Sequence, residues 1–204
     1  MTVSKRLLLA FAAVIFVFLA VGGTSLFSSL RLGEADRWNR HTYAVIDQGS
    51  ALMQAMTDME TGARGYLIAG EEAFLGPWTS GQAAFDKAWA EAKSLTADNP
   101  AQQQRLDGIK ASRDEFVAVA NALIQARRQL ASSGGSVEAL TAEFKQGKDK
   151  AAMDRLRALQ AEFEQAEAGL LATRTADANA LRTFNRIVIV AGSLFAVLVF
   201  LLAS

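Results

Sequence analysis

The stretch VIDQGSALMQAMTDMETGARGY, residues 45–66, decides the fold. Val45, Gly49, Leu52, Met56, Met59, Ala63 and Tyr66 step along it by 4, 3, 4, 3, 4 and 3, the spacing that lines one face of a helix. Moving outward, a second stripe runs Leu106, Ile109, Arg113, Phe116, Ala120, Leu123, Arg127 and Leu130. A third runs Leu156, Leu159, Phe163, Ala166, Leu170, Thr173, Asp177, Ala180 and Phe184, straight into Ile187. A shorter segment with Phe85, Ala88, Trp89, Ala92 and Leu95 lies between the first two. The breaks are as readable as the stripes. Gly70 ends or bends the first helix, and Pro77 kinks or starts the next. Asp98-Asn99-Pro100 offers an N-cap followed by proline at the first helical position. Ser132 to Ser136, with Gly134-Gly135, reads as a loop, and Gly147 as a further weak point. No window alternates with period two for long enough to suggest a strand. The expected fold is all-α: an antiparallel up-down-up-down four-helix bundle.

The outer helices of that bundle lead into uncharged runs. Residues 7–30 and 187–204 carry no charge. Leu7 to Val21 is unbroken by any polar residue and continues to Phe27; about 20 such residues cross a bilayer core of about 30 Å. A cleaved signal peptide is the rival reading, with Lys5 and Arg6 as its basic start, but the run outlasts the usual apolar region of about 7–15 residues. Ile187 to Ala203, interrupted only by Gly192 and Ser193, is near the lower limit for a span. The expected organisation is therefore a cytoplasmic stub over residues 1–6, a membrane helix over 7–27, a bundle domain over 28–186, and a second membrane helix over 187–204. The sequence stops at the edge of that helix, so a cytoplasmic continuation is expected beyond it. Lys5, Arg6 and the α-amine lean towards an N-terminus inside, weakly, because a long central domain escapes the positive-inside rule.

Charge and composition exclude several chemistries. The chain has 21 basic and 21 acidic residues, and setting Lys5 and Arg6 aside leaves 19 against 21 in the rest. That balance lacks the basic excess that tracks a phosphate backbone, so no nucleic-acid partner is expected. Without cysteine there is no thiol catalysis, disulfide framework or cysteine-ligated metal. A helical bundle can carry a di-metal carboxylate site, but this needs Glu-x-x-His on two helices, and the single histidine, His41, has no glutamate three residues before it. No catalytic residue, metal or cofactor is expected. His41, in Trp38-Asn39-Arg40-His41-Thr42, reads first as a partly buried structural side chain, with pH sensing as the alternative.

The densest stretch is Asp58-Met59-Glu60-Thr61-Gly62-Ala63-Arg64-Gly65-Tyr66-Leu67-Ile68-Ala69-Gly70, followed by Phe74-Leu75-Gly76-Pro77-Trp78. Glu60 and Arg64 stand four apart with the acid first, the favourable order for an intrahelical ion pair of a few tenths of a kcal/mol. Gly62 and Gly65 inside a helix each cost up to about 1 kcal/mol relative to alanine. Two such costs in four residues point either to close helix packing or to backbone presented to a ligand.

This stretch resembles the signature of the third type of CHASE domain. Asp58, Glu60, Thr61, Gly62, Arg64, Gly65, Tyr66, Leu67, Gly70, Phe74, Leu75 and Pro77 match it, with Trp78 where tyrosine is common. Lys150, Met153-Asp154, Arg157, Glu162, Glu167, Leu170-Leu171 and Arg174 resemble the family's last helix, and His41-Thr42 the start of its first. The likeness covers about residues 38 to 180. It implies a four-helix sensory domain between two membrane helices, on the outer face of a bacterial inner membrane. Such domains feed histidine kinases, diguanylate cyclases or methyl-accepting chemotaxis receptors. The expected function is thus an extracytoplasmic input module, of chemotaxis-receptor or sensor-kinase type, that relays a stimulus through its membrane helices. The alternative is a membrane-anchored helical scaffold without ligand. Expected partners are the lipid bilayer, a second copy in a parallel homodimer, and a small ligand or periplasmic protein. Candidate site residues are Asp58, Glu60, Thr61, Gly62, Arg64, Gly65 and Tyr66, with Met153, Asp154 and Arg157 on the last helix.

Overall fold

The computed structural model describes residues 3–133 and 137–203. Among these the chain is helical almost throughout, with no strand. α1 spans Val3–Ala69, a short 3₁₀ turn follows at Glu72–Leu75, and then come α2 (Gly76–Leu95), α3 (Pro100–Ser133), α4 (Val137–Phe144) and α5 (Lys148–Ala203). Two compact units divide the chain: His41–Gly169, and Met1–Arg40 together with Leu170–Ser204. α1 and α5 contribute to both.

The unit His41–Gly169 is the four-helix bundle. Its core takes Val45, Leu52, Met56 and Met59 from α1, Phe85 from α2, Leu106, Ile109 and Phe116 from α3, and Leu156 and Phe163 from α5. The first two stripes face inward along most of their length, because residues spaced by three and four share one helical face and burying them excludes water from that face. Residue chemistry also sets the turns. Gly70 ends α1 with φ +76°, a left-handed value that costs glycine little, and its N–H donates to the Tyr66 carbonyl at 2.7 Å. Pro77 sits in the first turn of α2, where its missing N–H is not needed. Asn99 caps α3: its Oδ1 accepts the Gln102 backbone N–H at 3.2 Å, ahead of Pro100.

One expectation needs correction: the third stripe does not stay inward beyond Phe163. Leu170, Thr173, Asp177, Ala180 and Phe184 are all exposed, whereas Glu167, Leu171, Arg174, Ala178 and Leu181 are buried or half-buried. An α-helix turns every 3.6 residues, so a strict 3.5-residue stripe drifts by about 20° per heptad. Here the drift is absorbed by two consecutive steps of four, Phe163–Glu167–Leu171. A short additional helix, α4, precedes α5 and is separated from it by Gly147 at φ +66°. The expected loop at Ser132–Ser136 is helical through Ser133, and its remaining residues lie outside the described ones.

In the other unit, the segments of α1 and α5 pair through mixed contacts. Asp36 accepts from Arg182 at 3.2 Å, and the Arg174 guanidinium lies 4.9 Å from the centre of the Trp38 ring. Nearer the apolar ends, Gly192 stands against Val21, whose side chain occupies the space a Cβ would need. α1 and α5 each hold an 18-residue window long and apolar enough to cross a membrane, with mean hydropathies of 2.3 and 2.2.

Candidate functional site: an ion cluster joining the first and last helices

The signature residues of α1 divide between two faces. Gly62 and Gly65 face α2 and the turn before it. A Cβ on Gly62 would lie 2.5 Å from the Trp78 backbone nitrogen, and one on Gly65 would lie 2.9 Å from the Phe74 ring. At Gly62, backbone against backbone leaves no room for a methyl, so the cost of glycine there is offset by close approach of the chains, whereas the neighbour of Gly65 is a side chain. Trp78 completes this junction, buried and tilted against Phe116 with ring centres 6.2 Å apart.

The other face carries charge. Glu60 is 9 % exposed, forms an ion pair with Arg64 Nη2 at 2.7 Å and accepts a hydrogen bond from Arg157 Nη2 at 3.2 Å. Arg64 also stands 3.8 Å from Asp149, a buried carboxylate in the first turn of α5, where the helix N-terminus favours negative charge. Arg157 further meets Asp154 at 3.5 Å, and Lys150 donates to Asp154. The Lys150 hydrogen bond, aided by the charges of Lys150 and Arg157, holds the Asp154 carboxyl below its ordinary range against the opposing effect of desolvation. Glu60 and Arg64 belong to α1; Asp149, Asp154 and Arg157 belong to α5. The cluster thus ties together the two helices that continue into the apolar spans. Each arginine side chain is about half exposed (47 % and 49 %), so each bond alone is worth little, but the nearly buried Glu60 needs at least one of them.

Not every candidate joins this cluster. Asp58 is half-buried and accepts from Gln54 Nε2 at 2.8 Å, one turn back on the same helix. Thr61 is exposed. Met153 is wholly buried in the core. Tyr66 is buried at the end of α1, beneath the Arg128 guanidinium at 5.7 Å from its ring centre. Arg128 pairs with Glu72 through both carboxylate oxygens at 2.8 Å, and Arg127 Nε donates to the Leu67 carbonyl at 3.1 Å. The two arginines of α3 therefore fasten the last turn of α1 and the 3₁₀ turn after it. Arg128 holds the Glu72 carboxyl below its ordinary range, chiefly through that hydrogen bond.

Two features escaped the sequence reading. Gln102, fully buried, donates from Nε2 to Glu167 Oε1 at 2.7 Å and to the Phe163 carbonyl at 3.2 Å, a polar link between α3 and α5 inside the core. Its position one turn before Leu106 was the available signal. The other is α4, which walls an open cavity of about 300 Å³ with Arg64, Leu67 and Ile68 of α1. Val137, Leu140 and Phe144 fall at helical spacing, but eight residues are too few for periodicity to stand out. Among the described residues, no cluster of three or more histidine or acidic side chains stands ready for a metal ion.

Among protein-family models, that of the CHASE3 domain matches residues 35–177. Curated proteins and solved structures give no match.

Proposed function

The chain belongs to the CHASE3 family of extracellular sensory domains found in bacterial signalling receptors, and from that premise we propose that it is the input module of a transmembrane receptor whose stimulus is relayed through α1 and α5. The observation that carries this reading is the Glu60–Arg64–Asp149–Arg157 cluster, which bonds these two helices together in the domain. A change in those bonds alters the offset of two rods that run on into apolar segments, and packed helices answer such a bias by switching between discrete arrangements. The receptor works as a parallel homodimer in the inner membrane, with residues 28–186 in the periplasm. The exposed positions Leu170 and Phe184 of α5, at the spacing of a helical stripe, support a second copy as partner. Output through a chemotaxis receptor or a sensor kinase fits this arrangement equally. The competing reading, a scaffold bundle without signalling role, uses the same cluster only to hold the two helices together, and the reversals below separate the two.

The experiment is a charge reversal. The chain is fused to a kinase reporter, and Glu60→Arg, Arg157→Glu and the double reversal are compared. Each single reversal should shift basal output, and the double should return it towards the parent. Unchanged output from all three properly inserted variants would end the relay reading.

A further inference from the structure

The cavity between the end of α1 and α4 has the features of a binding site. Leu67, Ile68, Val137, Leu140 and Phe144 line it, with Thr141 and a single charged group, Arg64. Its volume of about 300 Å³ lies at the lower end of small-molecule sites. Ile68, on an outer turn of α1, is 85 % exposed, which leaves its apolar side chain open at the mouth of the cavity. A smaller void of about 10 Å³, room for about one water, lies further in and shares Arg64, Leu67 and Phe144 with the larger cavity.

Arg64 is the hinge of the argument. Its contacts to Glu60 and to Asp149 are both made through Nη2. Both bidentate edges of a guanidinium, Nε–Nη2 and Nη1–Nη2, include that nitrogen, so a second anion takes a single charge-assisted hydrogen bond from Nη1 or Nε. Glu60 tolerates sharing, because Arg157 also bonds it. The contact that yields most readily is the long one to Asp149 at 3.8 Å.

We propose that this cavity binds a small monoanion with an apolar body, an aryl or short alkyl carboxylate, its chain against Leu67, Ile68, Leu140 and Phe144 and its carboxylate on the Arg64 guanidinium. The lining rules out neighbouring classes of ligand. A free phosphate or a sugar brings many polar groups, and one guanidinium with one hydroxyl leaves most of them unpaired. A protein partner needs an interface of about 1,000 Å² or more, which a concave site of this size does not supply. This inference rests on the sensory reading above and deepens it. Occupancy draws Arg64 away from Asp149, which breaks one of the bonds between α1 and α5.

The test uses the full chain in lipid nanodiscs with 4-phenylbutyrate as probe, read by saturation-transfer NMR against empty nanodiscs. Saturable binding is expected, weakened about tenfold or more in Arg64→Gln, where one charge-assisted pair is lost. The neutral amide of the probe should bind Arg64→Gln and the parent alike. Leu140→Trp fills the cavity and should abolish binding. Ile68→Glu alters a fully solvated position, leaves the melting profile intact and should repel the probe. Binding indistinguishable from empty nanodiscs, binding unchanged in Ile68→Glu, or inorganic phosphate binding as tightly as the probe would each overturn the proposal. If the probe fails while the Glu60 and Arg157 reversals still shift reporter output, the ligand class falls and the receptor reading stands. If it binds and output never responds, the site stands and the relay falls.

Discussion

At Gly62 and Gly65 the same residue type serves two different neighbours, and the difference is measurable. The Cβ of Gly62→Ala would meet the Trp78 backbone, which cannot turn aside, at 2.5 Å. We expect a loss of about 1–3 kcal/mol, the usual cost of overpacking. Gly65→Ala meets the ring of Phe74, which is 45 % exposed and free to rotate, so the gain in helix propensity of up to about 1 kcal/mol should nearly cancel the clash. Thermal melts of the two variants in the full chain separate these cases, and equal destabilisation would contradict the neighbours assigned to each glycine. Glu60 gives a second residue-scale prediction. Arg64→Ala and Arg157→Ala should each cost no more than about 1 kcal/mol, since the partner arginine remains and both side chains are half solvated. Together they strand a carboxylate that is 9 % exposed, so the double variant should lose clearly more than the sum. Additive losses in a double-mutant cycle would show that Glu60 is solvated.

At the scale of elements, the turn between α1 and α2 hangs on charge. Arg128 of α3 bonds Glu72 and covers Tyr66, and its neighbour Arg127 caps the Leu67 carbonyl. Because the Glu72 carboxyl is held below its ordinary value of about 4.5, the bond adds stability above that value. The contribution is lost as pH falls through the lowered folded value. Glu72→Gln should therefore melt below the parent at pH 7, with the gap closing under acid; a gap that is the same at pH 7 and pH 3 would remove this bond from the account. α4 shows where element-level reading stops. Its three apolar residues are spaced correctly, but about two turns cannot be told from chance, and only the α1 surface opposite gives them a purpose. The shift along α5 has the same character: the stripe through Leu170 and Phe184 is as regular as the one through Leu171 and Ala178, and packing decides between them.

For the whole molecule, the proposed topology makes a direct prediction. In this cysteine-free chain, Ser80→Cys on the exposed face of α2 should react with a membrane-impermeant maleimide in intact spheroplasts. Labelling only after lysis would place the bundle inside and withdraw the extracytoplasmic sensor. Polar links join several helix pairs of the domain: α1 and α5 at Glu60–Arg157 and Arg64–Asp149, α3 and α5 at Gln102–Glu167, and α2 and α3 at Lys93–Asp107 and Arg113–Asp86.

The sequence by itself determined the all-helical class, the breaks at Gly70 and Asn99-Pro100, the inward faces of the first two stripes and the two apolar runs, because each depends on chemistry within a few residues: periodicity, backbone freedom, capping and local hydropathy. Its signature residues also led to the CHASE3 family. It left open whether Gly62 and Gly65 serve packing, where Arg157 finds its partner, and that α4 walls a cavity. Those questions concern residues far apart in the chain, Gly62 with Trp78, Glu60 with Arg157, Ile68 with Leu140, and no local pattern encodes which helical faces meet. Only the packed bundle, in which burial and ion pairing are settled together, decides them.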